Sequence, residues 1–323
     1  MAPQKLPIVL IGGPTASGKS AVALALAQKF EDEDRRAVIL NADALQLYRD
    51  LRVLTARPDE KDERLVPHRL YGIWDGGRRG SVADWLELVR EEIATALDAG
   101  WQPIVVGGSG MYLHALLNGL APIPEIDPDM RAASVARHAA LGGAAFRAEL
   151  ATLDPVSAAK LHESDTQRLI RAYEVVKSTG RTLPDWQSAP TDLPPPHWQF
   201  GCFVIEPART TLYANCDMRF DKMLQNGARD EVQKLLERNL PPDMPVMKAV
   251  GVPELAAVLK NELPLENARL KAQQSTRNYA KRQLTWFRHQ LASAMRLEHD
   301  KPHIAQENNR IAGEIHRIVC NRR

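Results

Sequence analysis

Apolar residues gather first into short unbroken runs and later into helical spacing. Pro7-Ile8-Val9-Leu10-Ile11-Gly12 shows no polar alternation, the pattern of a strand covered on both faces. Residues 19–30 form an Ala-rich stretch whose larger apolar side chains are Val22, Leu24, Leu26 and Phe30, which predicts a helix. Two further strands are predicted at 37–41 and 103–106, each closed by a glycine or polar break. Between them, Ser81 is placed to cap a helix over 82–99. Strands that alternate with helices in this way build a parallel α/β sheet.

The texture changes near Gly119. Pro122, Pro124 and Pro128 open a block whose residues 129–180 read as Ala-rich helices without a strand, and a proline-rich stretch at 184–196 closes it. The strand-like run 200–205 then resumes the sheet. The expected organisation is a core built from two segments, 1–118 and 199–300, with a helical insertion at 119–198. A polar, basic tail at 301–323 carries no informative motif. Within the 199–300 segment a long helix is expected over about 211–238, interrupted at Asn226-Gly227, and another over about 265–295.

Composition narrows the classes. A chain with 44% hydrophobic and 25% charged residues has the balance of a globular protein. Its formal charge of +2, from 42 Lys/Arg against 40 Asp/Glu, does not announce a nucleic-acid binder, and it leaves the placement of basic residues open. Cys202, Cys216 and Cys320 are odd in number and widely spaced, which argues against a disulfide framework or a zinc site. Met1–Leu6 leave no room for a secretory leader, and no apolar run reaches the roughly 20 residues that cross a bilayer. A cytoplasmic monomer without a membrane partner is expected.

Between the first strand and the first helix stands Gly13-Pro14-Thr15-Ala16-Ser17-Gly18-Lys19-Ser20. It satisfies the pattern of a glycine, four residues, then Gly-Lys-Ser. Glycines let backbone N–H groups converge on phosphate oxygens, and the helix N-terminus adds positive potential. Lys19 supplies a point charge, and Ser20 is a candidate ligand for Mg2+ bridging two phosphates. The expected fold is accordingly a P-loop NTPase-like parallel α/β core with an inserted all-helical domain. ATP-using members of that class carry an acidic residue at the end of another core strand. Here 104–106 runs into Gly107-Gly108-Ser109 with no carboxylate, so the loop reads as a diphosphate cradle of another use. Asp43 follows the second strand, on the edge where strand C-termini face a ligand crevice. It is a candidate general base for an attacking amine or hydroxyl, and the same position equally suits a helix N-cap.

Taken together, the motifs resemble those of the tRNA dimethylallyltransferase (tRNA isopentenyltransferase) family over about residues 7–290. The likeness is carried by residues 13–20, Asp43 with Gln46 and Tyr48, and Thr55-Ala56-Arg57-Pro58. It continues through Pro67-His68-Arg69-Leu70, residues 106–113, Asp165 to Ala172, Arg219 to Leu224 and Ala280 to Arg288. The resemblance implies transfer of a dimethylallyl group from dimethylallyl diphosphate to N6 of adenosine 37 in tRNA, with magnesium. It implies that Arg219 and Thr15 assist the leaving diphosphate beside Lys19, and that Asp43 is the base. For Arg219, pairing with Asp217 or Asp221 is the plainer reading of the residues alone.

RNA contacts follow from the resemblance and from helical spacing. The implied set is Asp43, Ala44, Leu45 and Gln46, then Ser109 and Arg131, and then Gln167, Arg168, Leu169, Ile170 and Arg171. Arg277, Lys281 and Arg288 share one helical face, with Arg282 beside them, and read as phosphate contacts or as a solvated basic face. Trp286 and Phe287 read as core. The chain departs from the family pattern at Ala44, where serine is usual, at Leu54, where glycine is common, at Ser109, usually threonine, and at Val252-Pro253. Eukaryotic members often add a C-terminal zinc finger, which Cys320 alone cannot form, so the architecture resembles the bacterial type. The competing readings are an adenylate isopentenyltransferase, a P-loop small-molecule or nucleoside kinase, and a non-enzymatic RNA-binding protein.

Overall fold

The computed structural model describes residues 7–188, 192–299, 301 and 304–321. The chain separates into two compact units, one of residues up to Leu117 and from Pro195 onward, the other Asn118–Pro194. The first unit begins with β1 (Ile8–Gly12), α1 (Lys19–Glu31), β2 (Ala37–Asn41), α2 (Glu60–Leu65), β3 (His68–Arg69), α3 (Val82–Asp98), β4 (Gln102–Gly107) and α4 (Gly110–Asn118). The second unit contains α5 (Pro128–Leu153), α6 (Pro155–Lys160), α7 (Thr166–Thr179) and α8 (Leu183–Gln187). The first then resumes with β5 (Phe200–Ile205), α9 (Arg209–Gln225), α10 (Ala228–Glu237), α11 (Val252–Leu259), α12 (Leu265–Gln290), β6 (Met295–Leu297) and α13 (Ala305–Asn321).

The six strands form one sheet in the order β3-β2-β4-β1-β5-β6, and every neighbouring pair is parallel. β1, β2 and β4 are buried along their whole length, as unbroken apolar runs demand in a sheet covered on both faces. Because the strands are parallel, the loops after β1, β2, β4 and β5 leave from one edge. That edge receives residues 13–18, Asp43, residues 108–109 and the entry to α9. Gly107 is required there: a Cβ would collide with the Ala42 carbonyl, so the ends of β2 and β4 pack backbone to backbone.

Two expectations need correction, and one strand was missed. The residues beyond 300 are not a featureless tail: Ile311, Ala312, Ile315 and Val319 of α13 are buried in the same cluster as Val22, Leu26 and Phe30 of α1. The helix expected to reach 295 stops at Gln290, and Met295–Leu297 adds a sixth strand beside β5. β3 was likewise invisible as a two-residue strand. The long helix at 211–238 is divided at Asn226-Gly227 as expected, with Gly227 at φ 90°.

The second unit is helical throughout its described residues. Its core gathers Phe146, Leu150, Leu161, Leu169, Ile170 and Tyr173. α5 is broken at Gly142, whose φ of 73° belongs to the left-handed region. Asp154 caps α6 by accepting the Ser157 N–H at 2.9 Å. Residues 189–191 of the proline-rich stretch lie outside the described residues.

Candidate active site

The loop after β1 is built to hold an anion. α1 starts at Lys19 on Gly18, which sits at φ 86° with no side-chain cap and no acidic residue in the first turn. The first-turn N–H groups therefore remain for a ligand, and the helix dipole favours a negative one. Ala16 holds a φ of 61°, a strained position for a residue with a Cβ. The Ser17 hydroxyl is buried without a hydrogen-bond partner, an unmet demand at the centre of the loop. Lys19 is 8% exposed and donates to the Pro14 carbonyl at 3.2 Å. Burial brings its ammonium down to about 8; Asp43 opposes the shift and Arg219 adds to it.

Asp43 does not cap a helix. Its Oδ1 accepts the Leu45 N–H at 3.1 Å, and its own N–H donates to Asn41 Oδ1 at 2.8 Å. Asn41 is fixed in turn by donating to the carbonyls of Asp43 and Leu70, each at 3.0 Å. The second Asp43 oxygen accepts no hydrogen bond among the described residues, so its lone pairs are available for a proton. The carboxylate is the charge neighbour shared by Lys19, Arg219, Tyr71 and Tyr279. Burial lifts the two phenols well above their ordinary range, and Asp43 lifts them further, so both remain protonated donors.

Arg219 comes from α9, after β5. Its guanidinium donates to the Thr55 carbonyl at 3.2 Å, and burial pulls it down from the ordinary arginine value while Asp43 opposes that. Pairing with Asp217 or Asp221 does not occur: those carboxylates accept from Arg277 at 2.5 Å and from Arg269 at 3.1 Å. The Thr55 loop is held from below by Glu231 of α10, which accepts the N–H groups of Arg52, Val53 and Leu54 at 2.5, 2.8 and 2.9 Å. Leu54 is 8% exposed, and it fills the space beside Gly251 at the start of α11. Val252 beside it is buried in the core.

Sequence reasoning missed Gln283. It sits on the buried face of α12, accepts the Thr15 N–H at 2.8 Å and donates to the Gly108 carbonyl at 2.8 Å, tying the loop after β1 to the loop after β4. Tyr279, one turn earlier, was missed as well. Both lie on the inner side of a helix of which only the basic side carries a readable signal.

The expected RNA contacts fare unevenly. Gln46 donates to the Thr55 carbonyl at 2.8 Å, and the Ser109 hydroxyl accepts the Ala44 N–H at 2.9 Å, so both side chains already brace the loops. Ala44 and Leu45 are half-buried. Arg277 is paired with Asp217, and Arg288 with Glu206 at 2.6 Å, so the expected three-residue basic face is largely neutralised. Lys281 and Arg282 are exposed and line an open groove of about 570 Å³ with Trp286 and His289. Phe287 is core, as expected, whereas Trp286 contributes to the groove wall.

In the second unit, taken alone, Gln167 and Arg168 are exposed on α7, and Arg168 lies 3.7 Å from Asp165. Leu169 and Ile170 are corrected: their side chains are buried in that unit's core, the inward positions of an amphipathic helix, and offer nothing to RNA. Arg171 and Arg131 lie 2.8 and 3.5 Å from Glu174, a fully buried carboxylate.

Comparison with known proteins identifies the family of the chain. The family model described as IPP transferase matches residues 46–290, a span that starts just after Asp43. A tRNA dimethylallyltransferase of Rhodospirillum centenum is 54% identical over 296 residues, covering 92% of this chain and 93% of that protein. One from Rhodospirillum rubrum is 50% identical, covering 90% and 87%. The crystal structure of a tRNA isopentenylpyrophosphate transferase from Bacillus halodurans superposes with a TM-score of 0.66 at 30% identity, covering 97% of this chain and 98% of that one. A eukaryotic dimethylallyltransferase acting on tRNA shares the fold, with a TM-score of 0.75 at 23% identity over 91% of this chain and 74% of its own.

Proposed function

The chain belongs to the IPP transferase family, and from that premise we propose that it transfers a dimethylallyl group from dimethylallyl diphosphate to N6 of adenosine 37 in tRNA, next to the anticodon. The observation that carries this reading is the meeting of one carboxylate, Asp43, with two cations, Lys19 and Arg219, beside an uncapped helix N-terminus. A carboxylate with a free oxygen suits an amine that must lose a proton, and the cations suit a leaving group that gains charge. In the step, the N6 lone pair forms a bond to the allylic C1 as the C1–oxygen bond breaks. Asp43 takes the N6 proton, and the diphosphate departs with the electron pair. Lys19, Arg219 and the N–H groups of residues 18–20 hold that charge. The Thr15 N–H is committed to Gln283, so the Thr15 hydroxyl is the group left for the leaving oxygen.

The donor set fits Mg2+. Ser20 is exposed at the first turn of α1 and offers a hydroxyl oxygen, and a diphosphate and waters would supply the remaining oxygens this ion prefers. The ion supplies neutralisation of the diphosphate when bound. Exposed Gln167 and Arg168, with Lys281 and Arg282 of the α12 groove, are the candidates for RNA contact, and an extruded adenine is what N6 chemistry requires. We propose further that it acts as a cytoplasmic monomer. Among the described residues no helix is long and apolar enough to cross a membrane.

The test incubates the protein with Mg2+, labelled dimethylallyl diphosphate and an anticodon stem-loop bearing adenosine 37. Label should enter the RNA with release of diphosphate, and inosine at position 37 should block it. Phosphoryl transfer from ATP to a small acceptor without prenylation would replace this reading with a kinase. Prenylation of free adenylate in preference to the stem-loop would replace it with an adenylate isopentenyltransferase.

A further inference from the structure

At the other end of α1 from the phosphate loop, three ligand-type side chains meet that the prenyl-transfer chemistry does not use. Glu33 follows the C-terminus of α1; His316 and Cys320 lie four residues apart on α13 and so share one face. The packing of α13 against α1 through Ile311, Ile315 and Val319 holds that face against Glu33, and the Phe30 ring sets the imidazole from 4.8 Å. Glu33 Oε2 lies 3.1 Å from His316 Nε2, and Cys320 Sγ lies 3.6 Å from the same nitrogen. All three atoms fall within 4.8 Å of one another.

We infer that Glu33, His316 and Cys320 form a binding site for a divalent cation of the zinc class, with one coordination position left open. Two observations support this over an ordinary hydrogen-bonded cluster. First, both partners approach one imidazole nitrogen. A protonated Nε2 would have to share its single hydrogen between the carboxylate and a weakly accepting sulfur. A metal ion at the centre satisfies all three atoms at once. Second, the two spacings to the imidazole nitrogen are close to the edges of a tetrahedron. Bond lengths of about 2.0 Å to nitrogen and oxygen and about 2.3 Å to sulfur give ligand edges of about 3.3 Å for N···O and about 3.5 Å for N···S.

The mixed sulfur, nitrogen and oxygen set is the zinc type, and a thiolate with a carboxylate cancels the charge of a dication. Lys29 and Arg317 at the rim are then not required to compensate it. The fourth position faces a concavity of about 480 Å³ also lined by Asp32 and Asn321, so a water or a small anionic ligand completes the shell. Counting cysteines in the sequence excluded zinc because only one of the three ligands is a cysteine and Glu33 lies almost the whole chain away.

Co2+ is the probe, added to the full chain after chelation and in the absence of diphosphate. One equivalent should give a thiolate-to-cobalt band in the near ultraviolet with intense visible bands of tetrahedral cobalt, and Zn2+ should bleach both. Cys320→Ser should remove the ultraviolet band, and His316→Gln or Glu33→Gln should weaken affinity more than about tenfold. Zn2+ should raise the Tm of the wild-type protein and not that of Cys320→Ser, whose metal-free melt and prenyl transfer should match the wild type. A wild-type protein without the cobalt bands, or a band that persists in Cys320→Ser and so arises from Cys202 or Cys216, would overturn the site.

Discussion

Two sets of cations carry the functional reading, and they are held in opposite ways. At the strand edge, Lys19 and Arg219 rest on neutral carbonyls, those of Pro14 and Thr55. In the helical unit, Arg131 and Arg171 rest on the Glu174 carboxylate, and Arg168 lies beside Asp165. A cation on a carbonyl keeps its full charge for an incoming anion. One in an ion pair must be taken from its partner before it serves a phosphate, which costs about 0–1 kcal/mol when both partners are exposed. The difference teaches that the diphosphate site is electrostatically prepared before its ligand arrives, whereas the cations of the helical unit are already partnered and serve RNA only in competition with Asp165 and Glu174.

The largest effect expected from breaking this contrast is at the residue that answers both cations. Asp43→Ala should lower kcat about 10²–10⁴-fold with RNA affinity nearly unchanged, measured by single-turnover prenylation beside a filter-binding titration. Equal loss in both assays would move Asp43 from chemistry to RNA binding. Next comes pH. Lys19 binds an anion only while protonated, and burial has brought it to about 8, so raising pH through that value removes the charge and weakens donor binding. Affinity for the diphosphate should fall about tenfold per pH unit above that point, and binding there should take up a proton, visible as a buffer-dependent enthalpy. A flat profile to about pH 10 would show that the cation was never in jeopardy.

A smaller effect belongs to the clasp. Gln283→Ala frees the Thr15 N–H and the Gly108 carbonyl at once, and loss of buried hydrogen bonds of about 1 kcal/mol should reduce kcat/KM for the donor roughly five- to tenfold. RNA affinity should stay put, separating the clasp from the basic groove on the same helix. The last pair sharpens the helical side. Arg168→Ala should weaken tRNA binding a few-fold and reduce the salt slope by about one, with no change in Tm. Arg171→Ala should lower the Tm as well, because it strips a partner from a carboxylate that is 0% exposed. Identical behaviour of the two variants would erase the distinction between a surface cation and a bracing one.

How much of this was readable depends on where the information sits. The strands at 37–41 and 200–205 could be read residue for residue, since a strand covered on both faces is an apolar run with clear ends. The phosphate loop and Asp43 were readable because a glycine pattern and a strand end fix their place. Arg219 was not: the composition around it favoured a local ion pair, and only family likeness set that aside. Gln283 and the Thr55 carbonyl were hidden for different reasons. A buried glutamine shares its type with any exposed one, and a backbone acceptor has no side-chain signature at all. α13 is the instructive miss, because Ile311, Ile315 and Val319 do keep helical spacing, and the surrounding charge drew attention away from it.

That helix also bears on the course of folding. α1 precedes α13 by most of the sequence, yet α13 supplies the apolar wall that covers its back. Until α13 docks, the helix that carries the phosphate loop exposes Val22, Leu26 and Phe30, and its closure is a contact of very long sequence separation. Covering the helix that carries the phosphate loop is therefore a long-range step in folding, and a slow one by the measure of sequence separation.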